Sequence, residues 1–170
     1  MTDVFSSLEP HSRGIVVGLW TRRAALAVLG LVVLAALLNR FGQKPGDTAA
    51  RAPAATMTLS APAVVRGGLF FQSRLDIRAA QAVEHPRIVL DDGWLEGMQV
   101  NSIEPGPVGE ASRNGRVVLS YDALEPGDRL RVWLQFEVNP TNVGHRSYAV
   151  ELDDAERPIT RVSHAITVLP

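Results

Sequence analysis

The side chains with which this chain could do chemistry are few and dispersed. Its four histidines, His11, His85, His145 and His164, form no H-x-H or H-E-x-x-H pattern, so the spacing that grips a catalytic zinc is missing. There is no cysteine, which excludes disulfides, thiolate nucleophiles, cysteine-held zinc and iron–sulfur clusters. The serines are scattered without a G-x-S-x-G elbow. Gly67-Gly68 and Gly93 lead into extended segments rather than helices, so no phosphate-cradling loop is indicated. Two acidic pairs, Asp91-Asp92-Gly93 and Asp153-Asp154, are the oxygen donors that calcium takes at loop ends, and the same residues are ordinary turn formers. The expectation is a protein that is not an enzyme and holds no cofactor.

A second kind of chemistry, recognition, has better material. Phe70, Gln72, Arg74 and Arg78 alternate along one segment, and Arg131, Trp133 and Gln135 along another. Aromatic and arginine side chains are enriched where proteins meet, so Phe70, Arg74, Arg78, Arg131 and Trp133 are a candidate interface. The competing reading is a solvated sheet face with one partly covered tryptophan. Trp94 is a further exposed candidate, although a tryptophan packed across a core explains it better.

The elements that carry these rows follow from a period of two beginning at Met57. Met57 and Leu59 alternate with Thr56, Thr58 and Ser60. In GLFFQSRLDIRA (68–79), Leu69, Phe71, Leu75 and Ile77 take the inner side. RLRVWLQFEV (129–138) alternates most cleanly, with Leu130, Val132, Leu134, Phe136 and Val138 inward. Shorter strands are expected at 87–92, 94–103, 116–121, 147–152 and 162–168, the last with Val162, His164, Ile166 and Val168 on one face. The stretch 104–115 reads as a long Pro/Gly loop, and Pro126-Gly127 as the centre of a turn. Seven to eight short strands without a helical pattern over residues 56–170 indicate an all-β domain, an immunoglobulin-like antiparallel β-sandwich. With no Cys…Trp…Cys set, its core must be wholly hydrophobic.

The N-terminal part is different. Residues 24–38, AALAVLGLVVLAALL, are uninterrupted apolar, and Trp20 beside Arg22 and Arg23 is what a headgroup boundary favours. Arg40 can snorkel while Phe41 stays in the acyl region. We read a transmembrane helix over 20–41, a cytoplasmic segment over 1–19 whose first thirteen residues are disordered, and a Gly/Pro/Ala linker over 42–55. The rivals are a cleaved export signal, disfavoured by Asn39-Arg40 where small residues belong, and a core helix, disfavoured by the lack of a polar face. Residues 1–51 carry six Arg/Lys against three Asp/Glu, and residues 52–170 eleven Arg against fifteen Asp/Glu. A mildly basic leader before a mildly acidic domain suits a bilayer anchor and gives no sign of nucleic-acid binding. Arg13, Arg22 and Arg23 precede the span and Arg40, Lys44 and Arg51 follow it, so flanking charge does not orient it.

The stretch LEPGDRLRVWLQFEVNPTNVG, Leu124 to Gly144, resembles bacterial extracytoplasmic immunoglobulin-like domains, in which L-x-P-G precedes an alternating strand and a polar Asn/Pro/Gly turn. The whole chain is similar to small single-span membrane proteins of actinobacterial type. The resemblance implies a single-pass protein of the cell membrane with its C-terminal domain outside the cytoplasm, and it carries over no catalytic or binding residue. The function expected is a non-enzymatic interaction or accessory module. Its partners would be the lipid bilayer, through the helix, and another membrane or envelope protein. The alternative is an extracytoplasmic ligand-binding or sensor domain holding sugar or calcium in its end loops.

Overall fold

The structure, a computed structural model, describes residues 9–38 and 43–170. They form two separate units, divided at Gly42 and Gln43.

The first unit is a single helix, α1 (Glu9–Leu37). It begins well before the expected boundary at residue 20 and takes in residues 9–13, which were expected to be disordered. Within it Gly18–Leu37 is twenty residues long and apolar enough to cross a membrane. At 1.5 Å per residue that stretch spans about 30 Å, the thickness of a hydrocarbon core. The Arg23 guanidinium lies 5.7 Å from the Trp20 ring, so the cation and its aromatic neighbour do share one end of the apolar run. Asn39, Arg40 and Phe41 lie outside the described residues, as do residues 1–8.

The second unit is the β-sandwich that the period-two pattern indicated, of immunoglobulin-like character. One sheet has the order β1-β2-β4-β9-β6, built from β1 (Pro45–Arg51), β2 (Ala55–Pro62), β4 (Phe70–Ala79), β9 (Arg129–Val138) and β6 (Met98–Glu104). The other has the order β3-β11-β10-β5-β8-β7, from β3 (Val64–Arg66), β11 (Arg157–Leu169), β10 (Gly144–Asp154), β5 (Pro86–Leu90), β8 (Arg116–Ser120) and β7 (Gly109–Arg113). Every pairing is antiparallel except β3 with β11.

Among the described residues eleven strands replace the seven or eight expected, and the three beyond eight have distinct causes. The segment read as a linker contains β1, which pairs along its whole length with β2, from Pro45 opposite Pro62 to Arg51 opposite Thr56. Its Ala, Thr and Gly residues give no apolar alternation, and it is held as an edge by β2 rather than by its own sequence. The segment read as a long loop contains β7, joined to β8 by Asn114-Gly115 with φ of 53° and 78°. Both residues are left-handed, as a two-residue primed hairpin turn requires. The three-residue β3 is too short to show a period. Elsewhere the expected turn forms as read: the Asp128 amide donates to the Glu125 carbonyl at 3.0 Å across Pro126-Gly127, with Gly127 at φ 100°. The expected strand over 94–103 is interrupted. A 3-10 turn at Asp92–Trp94 comes first, and β6 starts at Met98.

The inner faces match the alternation. Met57 and Leu59 face Ile77 and Leu75 across β2–β4, and Val132 continues that row on β9. They meet Ile88, Leu90, Leu119, Val150, Leu152 and Ile166 from the opposite sheet. Leu69 is an exception: it precedes β4 in a turn and is 49% exposed, where the pattern had put it inside. In place of a disulfide pin, a run of rings crosses the sandwich. Phe71 stacks on Phe136 at 5.2 Å, Phe136 on Trp94 at 4.9 Å, Trp94 on Tyr148 at 4.0 Å, and Tyr148 approaches His164 at 5.5 Å. Trp94 is fully buried, and its indole N–H donates to the Ala149 carbonyl at 2.8 Å. Truncating such a ring costs about 3–5 kcal/mol, a large part of the ~5–15 kcal/mol that holds a domain together.

Candidate interaction face

The strongest alternation in the chain, in β4 and β9, puts two adjacent strands at the centre of the five-stranded sheet with their polar residues on its outer face. The register sets these residues in transverse rows. Arg78 is opposite Arg129, Asp76 opposite Arg131, Arg74 opposite Trp133, Gln72 opposite Gln135 and Phe70 opposite Glu137. On the β2 side the rows continue through Thr56, Thr58 and Ser60, and on the β6 side Glu104 extends the Trp133 row.

Arg74, Arg131 and Trp133 therefore come together as the sequence suggested, around a residue that had not been counted among the candidates. Asp76 accepts from Arg131 Nε at 2.8 Å, lies 2.9 Å from Arg74 Nε and 3.7 Å from Arg129 Nε, and has only 15% of its side chain exposed. The Arg74 guanidinium then lies 5.4 Å from the Trp133 ring centroid. One carboxylate and one ring thus order three arginines, and each link is worth only about 0.2–1 kcal/mol in water. Arg78 is on the same face but belongs to the outermost row. Phe70, 53% exposed, is four residues from Arg74 along β4, about 13 Å at the rise of an extended strand, and lies two rows from the cluster.

Sequence reasoning also missed Arg51, Thr56, Thr58 and Arg129, which line a shallow recess with Asp76 and Arg78. Arg129 was readable as the first outward residue of the β9 alternation. Arg51 was not, because it lay in the presumed linker.

Of the residues weighed for metal binding, Asp91, Asp92 and Asp154 accept backbone amides, whereas Asp153 Oδ1 and Asp91 Oδ1 are buried without a hydrogen-bond partner among the described residues. Asp91 Oδ2 accepts the Ala149 amide at 2.7 Å and lies 3.5 Å from Arg161. Burial raises its carboxyl above the ordinary range, against the pull of that amide and of Arg161. Asp92 Oδ1 accepts the Gly93 amide at 3.1 Å, and Asp154 Oδ1 accepts the His85 amide at 2.8 Å. His164 sits inward on β11 as read, near Thr48 Oγ1 at 3.4 Å and the Pro62 carbonyl at 3.3 Å. His145 is beside Thr167 Oγ1 at 3.1 Å. Among the described residues no three His, Asp or Glu side chains converge as a metal-ligating set.

A second polar recess, on the outside of the six-stranded sheet, is lined by Arg87, Arg113, Arg116, Asp153 and Glu156. Its arginines are already engaged: Arg113 with Glu156 at 2.9 Å, Arg116 with Glu151 at 2.6 Å, and Arg87 with the Ala155 carbonyl at 3.0 Å. Glu151 is also bonded to Arg161. Burial pushes the Glu151 carboxyl up, but the two guanidiniums outweigh it and hold it below the usual range.

No family model and no curated protein matches the chain. Several solved structures share part of its layout. One is AvmM, described as catalysing macrocyclization in alchivemycin A biosynthesis, at 9% identity over 69% of this chain and 91% of that one, TM-score 0.45. Another is a non-cellulosomal cohesin from Archaeoglobus fulgidus, at 14% identity over 75% and 92%, TM-score 0.41. A third is CaCohA2 from Clostridium acetobutylicum, at 12% identity over 62% and 84%, TM-score 0.44.

Proposed function

We propose that this chain is a single-pass membrane protein whose β-sandwich stands outside the cytoplasm and docks another membrane or envelope protein, without catalysis, through the outer face of the five-stranded sheet. The observation that carries the reading is the ordered centre of that face, where Trp133 lies beside Arg74 and Asp76 holds Arg74 and Arg131. Arginine and tryptophan dominate the energetics of protein interfaces, and side chains already fixed before contact lose less entropy on binding. The twenty-residue apolar stretch Gly18–Leu37 supports the anchor by length and composition. The calcium reading has weaker support, since Asp91, Asp92 and Asp154 already accept backbone N–H groups.

The test is site-specific photocrosslinking in membranes of the native host, with the probe at Gln135, exposed and two residues from Trp133, or at exposed Ser112 on β7. A discrete protein adduct is expected from Gln135 and not from Ser112, and Trp133→Ala should reduce it at least tenfold. No adduct at Gln135, or one that Trp133→Ala leaves unchanged, would sink the reading.

A further inference from the structure

The outer face is not uniform along its strands. At its centre the Arg74 and Arg131 guanidiniums share and are ordered by one carboxylate, Asp76. One row further, Arg51, Thr56, Arg78 and Arg129 lie opposite one another across four consecutive strands, β1, β2, β4 and β9. Neighbouring strands are about 4.8 Å apart, so Arg78 and Arg129 are immediate neighbours and Arg51 is two strands from Arg78. The row holds three arginines, all exposed, and no carboxylate. Like charges placed directly opposite on adjacent strands oppose pairing. The nearest acid, Asp76, is committed to Arg74 and Arg131 at 2.9 and 2.8 Å and reaches Arg129 only at 3.7 Å. Among the described residues, Arg51 and Arg78 form no ion pair with an acidic side chain. A sheet that only needed solubility would gain nothing from this row. Neutral or acidic residues at Arg78 would remove the repulsion.

We propose that the row Arg51–Thr56–Arg78–Arg129 is an anion-clasping subsite that takes an acidic segment of the docked protein, with Asp or Glu carboxylates as its ligands. The proposal rests on the docking reading and names the chemistry of the partner. Charge complementarity supports it: the Arg51 and Arg78 guanidiniums pair with no acidic side chain among the described residues, Arg129 has only its 3.7 Å contact with the shared Asp76, and a carboxylate set between Arg78 and Arg129 neutralises their repulsion while accepting paired N–H donors. Thr56, between Arg51 and Arg78, and Thr58, in the next row, line the same recess and offer hydroxyl donors. The row is also continuous with the Trp133–Arg74 centre through the Asp76–Arg131 row, so one extended chain can run from the aromatic contact onto the arginines. The neutral Gln72, Gln135 and Ser102 on the same face suit a protein surface better than a field of phosphate headgroups.

The full chain in phosphatidylcholine nanodiscs tests this with fluorescein-labelled octaglutamate followed by fluorescence anisotropy. Saturable binding that weakens as salt rises is expected, with no binding of octalysine. The double variant Arg51→Gln/Arg78→Gln should lose at least tenfold in affinity, and Arg66→Gln, on β3, should not. The melting temperature of Arg78→Gln should equal or exceed that of the unaltered chain, because a repulsion has been removed; a fall would show that Arg78 serves the fold and would overturn the assignment. Equal octaglutamate binding by the double variant overturns it too. So does a result in which the double variant loses binding to phosphatidylglycerol vesicles but not to the peptide, which would give the row to lipid. If octaglutamate fails to bind while the Gln135 adduct still depends on Trp133, acidic selectivity falls and the docking face stands.

Discussion

Asp153 shows how one side chain can be set against the fold that holds it. It lies in the polar recess of the six-stranded sheet, with Oδ1 buried and no hydrogen-bond partner for that atom among the described residues. Burial raises its carboxyl above the ordinary value of 3.8, the Glu151 charge adds to the rise, and Arg116 and Arg87 oppose it. A carboxyl whose folded-state pKa is raised binds its proton more tightly in the native state. Stability therefore increases as pH falls through the folded pKa toward the unfolded one, and the ionised form is a cost at neutral pH. Asp153→Asn should accordingly raise the melting temperature at pH 7, and the gain should shrink as pH approaches 4. Glu151, held low by Arg116 and Arg161, works in the opposite sense: its contribution is present above its unfolded pKa and is lost as pH falls through its lowered folded pKa. Thermal melts of Asp153→Asn and the unaltered chain across pH 3.5 to 8 separate the two. A variant that is less stable at pH 7 would show that the Asp153 charge is used by the fold.

At the scale of elements, the edge strand β1 tells most about what residue patterns can and cannot report. The central strands were legible because their two faces see different solvents: Leu75 and Ile77 face the core while Gln72 and Arg78 face water, and that contrast is written as alternation. PGDTAAR has no such contrast. Only Ala50 packs against the core cluster, so composition could not distinguish the strand from a tether. The same limit hid the charged row. Arg78 and Arg129 could be placed outward from β4 and β9 alone, but the meeting of Arg51 with them needs the strand order and register, which are tertiary facts. The Asn114-Gly115 hairpin was legible in principle from its dipeptide, and the surrounding Pro and Gly residues masked it. If β1 is structural, replacing residues 45–51 with a Gly/Ser heptapeptide uncovers the β2 edge and removes the cover over Leu59 and Met57. A loss of about 2–4 kcal/mol in denaturant unfolding is expected, comparable to a buried large-to-small change. A true linker would tolerate the exchange within about 0.5 kcal/mol.

At the scale of the whole molecule, the proposed function depends on which side of a membrane the sandwich occupies, and flanking charge does not decide it. Three cations precede the apolar run and three follow it, so the bias that normally orients a span is balanced. The chain offers its own experiment, because it contains no cysteine: any single one introduced is the only thiol to react. Ser112 lies exposed on β7, and Ser6 precedes the helix in sequence. In intact bacterial cells expressing the full chain, a membrane-impermeant maleimide should label Ser112→Cys at once and Ser6→Cys only after permeabilisation. The reverse pattern would put the sandwich in the cytoplasm and remove the envelope partner with it. Labelling of Ser112→Cys in intact cells, with no thiol recovered on the Ser6→Cys protein even after lysis, would mean that the segment is cut away. The arginine face would then belong to a released domain, and the acidic segment it selects would be sought in solution rather than beside an anchor.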